Sequence, residues 1–202
     1  MSDTRFKLSR RKAVQALVGS SVAMPHAVTG ASESRRSPSD PDLLNPAVRW
    51  VGVLTSSELA TLAVLSDVII PADERSPSAS SLGAHHYINE YVSAPYPKQE
   101  AALLTLREGL AWLSSECARR FQQPFTALDD AQKKAICDDI AWVQTTRPQA
   151  VPGAHFFALV RDLVATAFFT TDEGMADLGY IGNTPTTDFE GPTPELLKRV
   201  GL

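Results

Sequence analysis

Apolar residues recur at spacings of three and four along much of this chain, which is the pattern of helices with one buried face. The clearest example runs from Pro97 to Phe121, with Trp112 beside an apolar stripe made of Leu103, Leu106, Leu110, Leu113, Cys117 and Phe121. A second stripe, in "GAHFFALVRDLVATAFF", consists of Phe156, Leu159, Val160, Leu163, Val164, Ala167 and Phe168. Both segments are predicted to be core helices.

Helix-start signals divide the rest of the chain. Thr55 with Glu58, and Asp129 with Gln132, each form the sequence of a capping box. The first box opens a helix of about four turns that ends before Pro71, and the second opens a helix with Ala131, Ala135, Ile136 and Ile140 on its inner face. "HHYINEYV" is predicted to be a short helix, and a final one starts at Thr193 with Pro194 in first position and Gly201 as its stop.

The segment from 168 to 185, "FFTTDEGMADLGYIGNTP", interrupts this series. Gly174, Gly179 and Gly182 indicate turns around Tyr180. No window shows sustained alternation of apolar and polar residues, so we predict an all-α fold. The expected fold is a compact irregular helical domain with a long Gly/Pro-containing C-terminal loop, after an N-terminal signal segment.

The N-terminus predicts export. Arg10 and Arg11 precede a stretch, 13–31, that has no charged residue and ends in small residues. This resembles a twin-arginine (Tat) signal peptide, and the Tat route carries folded proteins, so the chain is expected to hold a cofactor or to travel with a protein that does. We predict a signal over 1–31, a flexible Ser/Pro-rich linker over 32–51 and a helical domain over 52–202. The alternatives are a chance arginine pair in a basic tail and a retained membrane anchor.

Charge argues against nucleic acid as a partner. The first 36 residues hold seven of the 19 basic side chains, and the remainder carries a net charge of −9. Nucleic-acid binding requires a basic face on the folded domain. An acidic body behind a basic leader therefore favours sorting over nucleic-acid binding.

Motifs for catalysis and cofactor binding are missing from the sequence. There is no CxxCH, iron–sulfur set, P-loop, GxGxxG after a strand or GxSxG. Adjacent His85 and His86 point in different directions on a helix, and the pairs Asp129-Asp130 and Asp138-Asp139 are expected to be solvated. We predict no catalytic, cofactor-binding or metal-ligating residue. Cys117 and Cys137 could form a disulfide or stay buried thiols, and both interpretations remain open.

Several segments in this order resemble the gluconate 2-dehydrogenase subunit 3 family. They are "LTSSELATLAVLSDVIIPAD", "GLAWL", "FFALVRDL", "FFT..EGMADLGYIGNTP" and a closing "G.TPELLKRVGL". The resemblance spans about residues 52 to 202 and is most specific from Phe168 onward. The family often has Gly-Cys-Pro near its end, whereas this chain has Gly191-Pro192-Thr193-Pro194, so any role of that cysteine is absent here.

The resemblance implies a non-catalytic small subunit of a periplasmic complex. Its expected partners are an FAD-dependent large subunit of the glucose–methanol–choline type, which oxidises a sugar hydroxyl, and the Tat translocase. A c-type cytochrome with haem c accepts the electrons in such complexes. The small subunit supports maturation, export and stability of the flavoprotein, and association with the membrane through the complex is open. Gluconate and a glucose or glucoside hydroxyl both fit as the substrate.

The resemblance also suggests why the C-terminal segment is shaped as it is. It would be a docking surface, with Phe169, Tyr180, Ile181, Asn183 and Phe189 as partner-contact candidates. Packing into the domain's own core is the alternative; it is preferred for Phe168 and stays open for Tyr180 and Phe189. A self-sufficient enzyme and an independent periplasmic helical binding or scaffold protein are the rival functions.

Overall fold

The computed structural model describes Ala47, residues 50–180, Gly182, Pro185 and residues 191–201. Within them the chain forms helices and no strand, which confirms the all-α prediction. The α-helices are α1 (Ser56–Ile69), α2 (Ala84–Ser93), α3 (Pro97–Phe121), α4 (Asp130–Ile140), α5 (Val151–Phe169), α6 (Asp172–Leu178) and α7 (Pro194–Arg199). The predicted signal, including Arg10 and Arg11, lies outside the described residues.

The predicted helix starts are present with their hydrogen bonds. Thr55 and Glu58 form a complete capping box at α1, and Asp129 and Gln132 form another at α4. Thr193 caps α7 by accepting a hydrogen bond from the Leu196 amide at 3.3 Å. These side chains satisfy amide groups that the first helical turn cannot pair, which is why the starts could be read from the sequence.

The core is organised around an antiparallel pair, α3 and α5, which share the most extensive interface between elements. Two glycines allow the close approach. A Cβ atom on Gly109 of α3 would lie 2.0 Å from the Phe156 Cβ, and one on Gly153 of α5 would lie 2.5 Å from the Trp112 ring. Each helix therefore offers a glycine where the other offers an aromatic side chain.

The remaining helices surround this pair. α2 packs against α5, α3 and α1, and the apolar core extends through all of them to α4. Ahead of α1 the chain is held on α2: the Trp50 indole donates to the Glu90 carbonyl at 2.8 Å, and the Leu54 amide donates to the Asn89 side chain at 3.1 Å. The boundary predicted between linker and domain stays a prediction, and these contacts show ordered packing from Trp50.

The inner face of α4 differs from the prediction. Ile136 and Ile140 are buried as expected, together with Cys137, but Ala131 and Ala135 are exposed. The helix turns its half-buried Gln132 and Lys133 toward the domain instead. Alanines carry little apolar area, so the larger isoleucines determine the orientation of the helix.

One helical span within the described residues, Pro148–Phe169, is long and apolar enough to cross a membrane by length and composition, with a mean hydropathy of 1.2. The same span contains α5, whose inner face is buried in the core. A central core helix passes such a test as readily as a membrane segment does. The span is therefore weak support for a membrane-crossing role.

Candidate partner-binding surface

The C-terminal segment begins with a helix that the sequence analysis did not predict. Where turns were predicted, the chain makes α6, which starts directly after α5. The Thr171 hydroxyl donates to the Phe168 carbonyl at 2.7 Å and accepts from the Gly174 amide at 3.0 Å, so one side chain ends α5 and caps α6. Gly174 lies inside this helix and not in a turn. Glycine is needed at this position because a Cβ atom would lie 2.1 Å from the Phe168 carbonyl oxygen.

The end of α6 has a defined backbone geometry. Gly179 adopts φ 67°, its amide donates to Ala176 at 3.0 Å, and the Tyr180 amide donates to Met175 at 2.9 Å. These two bonds make a Schellman motif, which requires a left-handed residue at the Gly179 position. The main chain of Tyr180 is thus fixed, whereas its side chain is 58% exposed and that of Leu178 is 62% exposed. We call Leu178 and Tyr180 the α6-end surface.

An ion pair ties this helix end to a distant loop. The Arg75 guanidinium contacts the Asp177 carboxylate at 2.7 Å and also donates to the Asp177 carbonyl. Asp73 shapes the loop by accepting from the Arg75 and Ser76 amides, each at 2.8 Å. These backbone hydrogen bonds lower the pKa of Asp73. The α6-end surface is therefore held by contacts between α6 and the loop that contains Asp73 and Arg75.

The predicted contact residues have different environments. Phe168 is buried, as preferred from the sequence, and its ring meets that of Phe169 edge to face, with ring centres 5.1 Å apart. Phe169 is partly buried and packs against the core, so only part of it is accessible. Tyr180 is solvent-accessible and does not close the core. Ile181, Asn183 and Phe189 lie outside the described residues.

Some exposed apolar residues escaped the sequence reading. Leu178 and Trp142 are more than half exposed, and the Arg161 guanidinium lies 5.9 Å from the Trp142 ring centre. The signals for α6 were nevertheless present: Thr171 as the cap, acidic residues at the next two positions, and Gly179 after the last turn. Reading Gly174 as a turn residue concealed them.

Neither cysteine has the environment of a reactive thiol. Cys117 and Cys137 are both buried free thiols. Burial raises the pKa of Cys117 to about 11 and that of Cys137 to about 12. Because the thiolate is the nucleophile and the metal ligand, both groups are inert at neutral pH.

The adjacent histidines also lack a metal-binding arrangement. Their rings lie closer than expected from their places on the helix, with centres 4.0 Å apart. Burial is the main cause that lowers the pKa of His85, and the neighbouring His86 lowers it further. No cluster of three or more His, Cys, Asp or Glu side chains that could hold a metal occurs within the part of the chain that the structure describes.

The described residues thus define a class of protein: an all-α domain with exposed apolar side chains at the end of α6. The model of the family described as gluconate 2-dehydrogenase subunit 3 matches residues 56–189, more than half of the chain, and the chain belongs to this family. Membership makes it a subunit of that type and implies a dehydrogenase partner. Comparisons with curated proteins and with solved structures gave no match.

Proposed function

We propose that this chain is the non-catalytic small subunit of a periplasmic, FAD-dependent sugar dehydrogenase complex of the glucose–methanol–choline type. In this role it binds the flavoprotein subunit, supports its maturation and stability, and carries it through the Tat translocase. FAD belongs to the partner, and haem c to a cytochrome that accepts the electrons. The substrate is gluconate or a glucose or glucoside hydroxyl, and the substrate pocket lies in the large subunit.

The observation that carries this proposal is the family match, supported by the α6-end surface. Tyrosine is enriched among the residues that dominate protein interfaces, and a side chain on a fixed backbone loses little entropy on binding. Tyr180 and Leu178 meet both conditions, because the Schellman motif and the Arg75–Asp177 pair fix the main chain beneath them. This surface is the proposed docking site for the flavoprotein.

The export part of the proposal rests on the twin arginines of the leader. If the flavoprotein has no signal of its own, it reaches the periplasm only in complex with this chain. Replacing Arg10 and Arg11 with lysine keeps the charge but removes the pair that the translocase recognises. In cells expressing both proteins, we expect dehydrogenase activity to move from the periplasmic to the cytoplasmic fraction.

The control for this experiment is Lys7→Arg, which alters the same basic leader and leaves the twin arginines in place. This variant should export the dehydrogenase normally. Periplasmic dehydrogenase at the wild-type level with both arginines replaced would contradict the carrier role. It would leave the docking role to be judged separately by co-purification.

A further inference from the structure

A second feature lies away from the α6-end surface, at the C-terminal half of α3. A groove of about 500 Å³ is lined by Trp112, Glu116, Arg119, Arg147, Gln149 and Ala150. Its walls are α3 and the connection between α4 and α5. A volume of this size is within the range of pockets that hold small molecules.

The charges around the groove form a network with one guanidinium in excess. Arg120, whose side chain is only 18% exposed, contacts both the Glu116 and the Asp139 carboxylates. Arg119 donates to both Glu116 carboxylate oxygens, from Nε at 2.9 Å and from Nη2 at 2.8 Å, and Arg147 contacts Asp139 at 3.2 Å. Asp139, predicted to be a solvated surface carboxylate, is therefore held by two arginines. Three guanidinium groups face two carboxylates.

The excess charge is directed at the groove. The side chains of Arg119 and Arg147 are 66% and 67% exposed, and both line the groove. Arg147 makes its contact with Asp139 through one terminal nitrogen, whereas a guanidinium has five N–H donors. Hydrogen bonds from Arg119 keep the pKa of Glu116 at about 2, so this carboxylate stays ionised. The net charge of the three arginines and two carboxylates therefore stays near +1.

The floor of the groove favours an anion. The Trp112 indole donates to the Gln149 carbonyl at 3.0 Å, and its ring covers Gly153 in the first turn of α5. α5 starts at this point with no side-chain cap and no acidic residue in its first turn. The positive end of its dipole thus adds to the arginines and is not offset locally.

We propose that this groove binds a small hydroxylated monocarboxylate, with the carboxylate on Arg147, whose donors are mostly unused, and on the terminal nitrogen of Arg119 that does not bond Glu116, and with the hydroxyl groups on Gln149 and Glu116. The planar guanidinium of Arg147 matches a carboxylate through paired hydrogen bonds. A multiply charged anion is disfavoured because Glu116 and Asp139 lie close by. The side-chain oxygens of Gln149 and Glu116 accept hydrogen bonds, which suits hydroxyl donors. The inference concerns this chain alone and goes beyond the proposed function.

The test uses the full chain without a partner and follows its tryptophan indole N–H resonances. The chain has three tryptophans, and Trp112 alone lines the groove. Sodium gluconate is the probe, sorbitol is its uncharged analogue of equal chain length, and sodium sulfate at equal ionic strength reports general anion binding. We expect a saturable shift of the Trp112 signal with gluconate, none with sorbitol, and a non-saturable one with sulfate.

Substitutions assign the interaction to the arginines. Arg147→Ala and Arg119→Ala should each weaken gluconate binding about tenfold or more, and Arg147→Lys should weaken it too because lysine lacks the paired geometry. Lys134→Ala removes the same charge from an exposed side chain on α4 and should leave binding unchanged. Melting curves establish that each variant is folded.

Three results would overturn the proposal. The first is the absence of a saturable shift up to about 50 mM gluconate, which excludes even weak binding. The second is a saturable response to sulfate as strong as the response to gluconate. The third is that Lys134→Ala weakens gluconate binding as much as Arg147→Ala does. Each result concerns the isolated chain, so failure of the groove proposal would leave the proposed complex with a flavoprotein unaffected.

Discussion

Cys117 and Cys137 show how the position of a side chain decides its chemistry. The sequence left open whether they pair or stay buried thiols, and the structure places both as free thiols in the core. Their surroundings are apolar enough to raise both pKa values far above neutrality. They act as small apolar residues that fill space between α3, α4 and their neighbours.

The thiols should therefore be unreactive in the folded chain. At pH 8 both groups are protonated, since their pKa values are about 11 and about 12. We expect negligible reaction with Ellman's reagent in the native state and complete reaction of both thiols in guanidinium chloride. Rapid labelling of either thiol in the native state would show that the burial described here is wrong.

Glu116 predicts a specific dependence of stability on pH. Hydrogen bonds from Arg119 and Arg120 lower its pKa from the ordinary 4.5 to about 2 in the folded state. The carboxylate therefore stabilises the fold fully above pH 4.5, and this contribution is lost as the pH falls toward 2. Glu116→Gln should be less stable than wild type at pH 7, with a difference that shrinks in acid.

Thermal melts between neutral pH and pH 3 measure this difference. Glu108→Gln is the control, because Glu108 is exposed on the same helix. The control should follow the wild-type pH profile at every pH. A stability gap between Glu116→Gln and wild type that is constant in pH would contradict the assigned role of the carboxylate.

Among the helices, the long ones with strong periodicity could be predicted and the short one could not. The bounds of α3, Pro97–Phe121, agree with the sequence reading because its stripe is continuous and Pro97 marks its start. α6 was missed because the reason for Gly174 is tertiary: the carbonyl of Phe168 leaves no room for a side chain. The exposure of Leu178 and Tyr180 depends on how α6 is placed against α5, so it too could not be read from spacing.

The crossing of α3 and α5 gives a prediction for stability. In Gly109→Ala the new Cβ would lie 2.0 Å from the Cβ of Phe156, which is attached to the backbone and cannot rotate away. We expect a loss of about 1–3 kcal/mol, reduced by about 1 kcal/mol from the better helix propensity of alanine. Glu108→Ala, one residue earlier and exposed, serves as the control in denaturant unfolding. Equal or higher stability of Gly109→Ala would mean that the two helices are not in close contact.

Taken as a whole, the molecule separates three roles along its chain. The twin-arginine leader is the proposed export signal, the helical domain supplies the packed core, and the α6-end surface is the proposed contact with the dehydrogenase. The family match reaches from residue 56 to 189 and so includes the α6-end surface. The sequence led to the fold and family, whereas the position and support of that surface required the structure.

Co-purification with a co-expressed flavoprotein tests the central claim most directly. The tagged chain should retain a dehydrogenase whose absorption shows oxidised flavin bands. Tyr180→Ala should weaken the complex more than tenfold, which corresponds to about 2 kcal/mol or more for an interface anchor, while its melting curve stays close to wild type. Leu104→Ala, which truncates a side chain that is 66% exposed on α3, should retain the flavoprotein. A wild-type chain that purifies without any flavoprotein would contradict the account.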